Sequence, residues 1–260
     1  EFLVVEEIFP SETTQYADIV LPGNAAAEQA GTFTNTERRV QHTRMALTAP
    51  GQARPDWDIL CDLARRIQNR LGIAPDDAPY ASFDYRGPEE IMEEIAALTP
   101  IYGGMSYDRI DKAGLQWPCP TVDHPGTQYL HKGKFSRGLG LFTAVDWLPP
   151  AEVPDTEYPL LFTTGRVLYH FHGGSMTRRS KGLNEIYPEA LVELNPIDAR
   201  ALGIENGDMV KVSSRRGQVT AKAEVIDRPV QGVVFMTFHF KEAAANLLTN
   251  AALDPVAKIP

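Results

Sequence analysis

The order of patterns along the chain predicts an α/β segment followed by a mainly-β segment that closes into a small barrel. In the first hundred residues, short apolar runs ended by Pro or Gly alternate with stretches of helical period. Between 101 and 150 no period persists, and Gly, Pro and aromatic residues become frequent. From 151 onward, short strand-like runs recur at regular spacing between turn residues. The division is therefore 1–100, 101–150 and 151–260, with the boundary at Pro149-Pro150.

Each element has a local reason. Residues 2–9 are mostly apolar and end at Pro10, which suggests a buried strand. Ser11-Glu12-Thr13-Thr14 offers a helix N-cap, with Tyr16 and Ala17 opening an apolar face. Ile19-Val20-Leu21 before Pro22-Gly23 predicts a second buried strand. Residues 31–41 mix Gly, Thr and Asn, as a loop or hairpin does. Asp56 sits where an N-cap belongs, and Leu60, Leu63, Ile67 and Leu71 recur at helical spacing up to Gly72. A second helix starts at Pro88, carries Ile91, Ile95 and Leu98, and stops before Pro100. In the last third, 159–163 is a strand, Asn195-Pro196 starts a helix ended by Gly203, and 209–213 turns at Arg216-Gly217 into 219–225. Residues 232–240 form one more strand.

Composition excludes several classes. The net charge of -9 gives no basic stripe for nucleic acid. No apolar run is long enough to span a membrane. The start lacks the basic region of a signal peptide, and both ends suggest a piece of a longer chain. Cys61 and Cys119 are too few for a disulfide framework or an iron–sulfur site. Cys61 falls in the helical pattern as a small core residue, and Cys119 lies in a stiff Pro-flanked loop.

The densest chemistry lies in Thr164-Gly165-Arg166-Val167-Leu168-Tyr169-His170-Phe171-His172-Gly173-Gly174-Ser175-Met176-Thr177. Gly lets backbone N–H groups approach a ligand, and Arg offers a fork that pairs phosphate oxygens. A bulky anionic ligand such as a pyrophosphate-bearing cofactor suits this loop; the alternative is a polar turn whose His and Arg satisfy nearby carbonyls. His170 and His172 would share a strand face, but no third metal ligand stands at useful spacing. Asn246, after Phe238, can read the edge of a heterocycle or simply turn the chain. The Asp56 carboxylate can accept two adjacent N–H groups of a guanine, or merely start its helix.

Residues 164–173 resemble the pterin-contacting loop of the molybdopterin oxidoreductases of the dimethyl sulfoxide reductase type. Residues 31–41 and Tyr16-Ala17-Asp18-Ile19-Val20-Leu21-Pro22 resemble motifs of the same family, in the same order. Within it, residues 114–120, 124–126 and 246–250 look most like formate dehydrogenases. The resemblance implies a last domain built as a six-stranded double-psi barrel. It also implies a bis(molybdopterin guanine dinucleotide) cofactor with molybdenum or tungsten. By position, Thr164, Gly165, Arg166, Val167, Leu168, Tyr169, His170, Phe171, His172, Gly173 and Ser175 would line the pterin and phosphate region. Asp56 would sit on a guanine, Phe238 and Asn246 near the second pterin, and Glu7, with Glu6, at a nucleotide contact.

The same resemblance puts the cysteine or selenocysteine metal ligand, the 4Fe-4S cysteines and the formate-flanking residues upstream of this chain. It implies reversible oxidation of formate to CO2 by a complete cytoplasmic subunit with iron–sulfur electron-transfer partners, and an isolated piece without activity. The alternatives are the matching part of a nitrate reductase and a non-catalytic barrel module.

Overall fold

A computed structural model describes residues 2–74 and 82–258. The chain divides into two compact units, Glu1–Phe142 and Thr143–Pro260.

In the first unit, β1 (Val4–Glu7) and β2 (Ile19–Pro22) pair in parallel, Val4 opposite Ile19 and Glu7 opposite Pro22. The connection holds only a 3-10 turn, Thr13–Tyr16, and Tyr16 is exposed rather than opening a buried face. Asp18 explains the early stop. Its carboxylate accepts the Leu3 N–H at 2.7 Å while its own N–H donates to the Leu3 carbonyl, which draws the chain back to β1. Val4, Ile19 and Val20 are exposed where the sequence suggests burial. A parallel pair needs cover on both faces, and two strands carry too few neighbours to provide it.

The 31–41 segment folds as a hairpin of β3 (Gly31–Thr34) and β4 (Arg39–Thr43). Asn35 shapes its turn by accepting the N–H groups of Glu37 and Arg39 on one side-chain oxygen. Helix α1 (Asp56–Leu71) places Asp56 and Asp58 at its positive end. Gly72, at φ +69°, ends it. Asp56 is its first residue and not its cap: Pro55 holds the cap position, and no side chain caps the helix. The stripe Leu60, Leu63, Ile67, Leu71 is exposed, and Ile59 and Cys61 are the buried residues.

Helix α2 (Pro88–Leu98) begins at its proline and buries Met92, while Ile95 and Leu98 stay exposed. Met92 packs with Val40, Met105, Ile110 and Cys119, so α3 (Tyr107–Ile110) and β5 (Leu115–Gln116) close over the hairpin. β5 extends the hairpin sheet through Arg39 and Val40. Cys119 is a core residue, its thiol 3.4 Å from the His124 carbonyl. The residues that follow β5 are pinned by two arginines. Arg38 donates to the carbonyls of Trp117, Thr127 and Gln128, and Arg109 to those of Gly104, Thr121 and His124.

In the second unit the strands are β6 (Leu161–Gly165), β7 (Leu191–Leu194), β8 (Met209–Ser213), β9 (Gln218–Val225) and β10 (Val233–Thr237). Among the described residues they form one five-stranded sheet, ordered β6-β10-β7-β9-β8. The resemblance implies six strands in a closed barrel. The pairs β6/β10 and β7/β9 are parallel, and β10/β7 and β8/β9 antiparallel. Helix α4 (Lys181–Ile186) precedes β7. Helix α5 (Pro196–Leu202) follows it, capped by Asn195, whose side chain accepts the Ile197 N–H. Alternate residues Val192, Leu194, Ala221, Ala223, Val234 and Met236 face the core with Phe240, Ala245 and Leu248.

Gly104 is a stringent test of the first unit. A Cβ there would lie 2.0 Å from the Thr121 carbonyl oxygen, a backbone atom. Gly104→Ala should destabilise the unit by about 2–4 kcal/mol, read from denaturant unfolding. A cost near zero would mean the 104/121 approach is absent in solution.

Candidate functional site

Two of the segments singled out in the sequence leave the sheet side by side. β6 and β10 run parallel in register, Gly165 opposite Thr237. Parallel strands point their C-terminal ends the same way, so the turn 164–177 and the segment 238–250 emerge at one edge. The Phe238 N–H, donating to the Gly165 carbonyl at 3.4 Å, continues the pairing one step beyond the strands.

The turn is built around His170, which is 4% exposed. Its Nε2 lies 2.8 Å from the Tyr187 carbonyl, which can only accept, so Nε2 carries the proton there. Nδ1 then accepts from the Thr177 hydroxyl at 3.1 Å, and that oxygen accepts the Phe171 N–H at 3.1 Å. Both ring nitrogens are thus used, Nδ1 inside the turn and Nε2 on the Tyr187 carbonyl beyond it. His172, at φ +48°, faces outward with one nitrogen 3.4 Å from Arg166. The Arg166 guanidinium lies over the Phe238 ring, 5.6 Å from its centre. Thr164, Gly165 and Val167 are half-buried; Arg166, Tyr169, Gly173 and Ser175 are exposed. Leu168 (91% exposed) and Phe171 (72% exposed) present large apolar surfaces. A cleft of about 710 Å³ runs beside the turn, with Thr163, Phe235 and Val233 among its lining residues. Glu193, almost wholly buried, also lines it and pairs with Arg228. Burial pushes the Glu193 carboxyl up, against the opposing pull of Arg228.

Beneath the turn, the His239 ring packs at a tilt against those of His170, 4.6 Å between centres, and Phe240, 4.0 Å. Burial, then the neighbouring His170 and Arg178, pull its pKa down to about 4, so it is uncharged near neutrality. Its Nε2 and the Thr237 hydroxyl are buried polar atoms with no partner among the described residues. Asn246 lies exposed in a 3-10 turn, Ala245–Leu247, and its carbonyl accepts the Thr249 hydroxyl.

The other candidates lie in the first unit. The Glu7 carboxylate is occupied by the Ile8 N–H at 2.9 Å. Glu6 is the acid that meets Asp56. Burial, then the shared hydrogen bond with Asp56, raises the Glu6 carboxyl to about 6. Gly23 leaves room for both, a Cβ there falling 3.4 Å from each carboxylate. Glu6 Oε1 is buried without a donor. Two acids in contact call for a shared proton or a ligand offering N–H groups.

In the second unit an exposed guanidinium at a Gly-rich turn, with buried polar atoms lacking partners beneath it, suits an anionic, nitrogen-rich cofactor. Residues 160–260 match the molydopterin dinucleotide binding domain model, and residues 1–66 the molybdopterin oxidoreductase model. The two stretches thus carry likeness to a molybdopterin oxidoreductase domain and to a molydopterin dinucleotide binding domain. Among individual proteins the chain is similar to the F420-dependent formate dehydrogenase subunit alpha of Methanocaldococcus jannaschii, 48% identical over the whole chain. The F420-dependent formate dehydrogenase 1 subunit alpha of Methanococcus maripaludis is 47% identical over the same extent. The chain spans 37% of the length of each. In fold it is similar to acetylene hydratase from Pelobacter acetylenicus, with a TM-score of 0.63 and 17% identity, over 96% of this chain and 36% of that one.

Sequence reasoning passed over Glu6 as the acid facing Asp56, and over Arg178, His239 and Glu242. Glu6 differs from Glu7 only in strand phase, and period-2 alternation was the available signal. Nothing local marks Arg178 and Glu242 as partners, since 64 residues separate them.

His239 sets a pH dependence. A histidine whose folded pKa is depressed stabilises the fold above its unfolded value near 6.5, and that stability is lost as pH falls toward about 4. Thermal unfolding should therefore show wild type losing more stability than His239→Gln between those values. Parallel curves for the two proteins would contradict the buried, neutral imidazole.

Proposed function

We propose that this chain is the cofactor-binding part of the large subunit of a molybdenum or tungsten formate dehydrogenase. The observation that carries the reading is the parallel β6/β10 register, which delivers the turn 164–177 and the segment 238–250 to one edge. The similarity to formate dehydrogenase alpha subunits supports the substrate. We further propose that the five strands belong to a six-stranded double-psi barrel. Two parallel pairs, each beside an antiparallel neighbour, support that reading.

In this reading Arg166 pairs phosphate oxygens of a bis(molybdopterin guanine dinucleotide), and Thr164, Gly165, Val167, Leu168, Tyr169 and 171–173 with Ser175 line its pterin arm, while the buried His170 shapes the turn rather than touching the ligand. Phe238 and Asn246 stand by the second pterin. Glu6 and Asp56 offer carboxyl oxygens to the N–H edge of a guanine, with Glu7 beside them. The bound cofactor supplies the two-electron acceptor for formate, which leaves as CO2 and a proton. The residues here bind, orient and keep water away; the metal ligand and the 4Fe-4S cysteines belong to other parts of the subunit. Electrons then pass to iron–sulfur partner subunits, and F420, named for the relatives, is the acceptor to test. Among the described residues no helix is long and apolar enough to cross a membrane, and a cytoplasmic location is part of the proposal.

Acid extraction of the complete parent enzyme should release GMP and oxidised pterin, and Arg166→Ala should lower that content about tenfold. A parent enzyme that oxidises no formate and yields neither compound would overturn the reading. The isolated 260-residue chain should reduce no dye with formate.

A further inference from the structure

We propose that Arg178 and Glu242 form a positioning clasp that sets the spacing between the turn after β6 and the segment after β10. This deepens the cofactor-binding reading, since those are the two segments that would hold the cofactor. The Arg178 guanidinium donates to both Glu242 oxygens, at 3.1 and 3.0 Å, across 64 residues of sequence. It lies over the Phe240 ring, 4.7 Å from its centre. Its stem fills the space under Gly174, where a Cβ would sit 2.9 Å from Arg178 Cγ and 3.3 Å from His239 Cδ2. Gly174 is at φ +72°, so the turn reaches this close only as glycine.

An exposed ion pair by itself contributes little. This one differs in three ways: the fork is bidentate, the arginine side chain is only 25% exposed, and an aromatic ring backs it. Arg178 also helix-bonds the turn from its own end, its backbone N–H donating to the Gly174 carbonyl at 2.9 Å. Glu242 lies in the 3-10 turn Lys241–Ala243 that directly follows Phe240. One interaction therefore ties the far end of the first segment to the near end of the second. Neither residue touches reacting atoms, so both act through the segments they hold.

The test uses the full-length enzyme carrying R178Q, R178K, E242Q or the double R178Q/E242Q. Backbone hydrogen exchange is followed over 166–176 and 238–246, and the cofactor left on the protein after dilution is measured as the GMP that acid extraction of the protein fraction yields. R178Q and E242Q should each speed exchange in both segments about tenfold and hasten loss of the cofactor alike. The double variant should be no worse than either single one, because all remove the same contact. R178K, which fills the stem space but lacks the fork, should recover only part of the effect. Wild-type exchange over 238–246 in R178Q and E242Q, or additive losses in the double variant, would overturn the clasp. If R178Q does not fold, E242Q decides, since it alters only the more exposed partner. Were acid extraction of the undiluted wild-type enzyme to yield no GMP, the cofactor-binding proposal would fail while the exchange arm still judged the clasp.

Discussion

The parallel pairing of β6 with β10 is the constraint on which the second unit depends. Had the two strands been antiparallel, Gly165 and Thr237 would point to opposite ends of the sheet, and the turn and the 238–250 segment would lie apart. The register makes them neighbours, and everything below the turn follows. His170 reaches the Tyr187 carbonyl, His239 packs against the His170 ring, and Phe240 enters the core beside Met236. The interior that supports the turn is therefore the same interior that stabilises the sheet.

Polar groups in this region divide by whether the chain satisfies them. His170 is used at both nitrogens and shapes the turn from within. Among the described residues Thr237 and His239 keep buried atoms without partners, and so does Glu6 in the first unit. A buried polar atom left alone costs free energy, so such atoms mark where water or a ligand belongs. The outward residues of the turn complement them, with Arg166 charged and exposed and Leu168 and Phe171 presenting apolar surface. Such a mixture suits a large ligand with an anionic arm and flat rings better than it suits bulk solvent.

Much of this was legible in the sequence because local chemistry specified it. The Asn195-Pro196 start and Gly203 stop of α5 needed only a cap, a fixed φ and a left-handed terminus. The β8–β9 hairpin followed from alternation around Arg216-Gly217, while the Gly, Thr and Asn content of 31–41 left loop and hairpin open and the structure shows a hairpin. Local patterns failed where a distant group won. Asp18 recaptured the chain for β1 and stopped the helix predicted near Tyr16. Asp56 turned toward Glu6 instead of capping α1.

By itself the sequence determined α1, α2, α5 and the strands of the last third as elements, the Gly- and Arg-bearing turn, and the family likeness, since these rest on residue identity and spacing. Tertiary structure alone decided which segments share an edge, that His170 points inward while His172 points out, and that Arg178 meets Glu242. Those outcomes depend on strand direction and register. Both are chosen by the sum of core contacts among Val192, Leu194, Val234 and Met236, and no short window of sequence contains that sum.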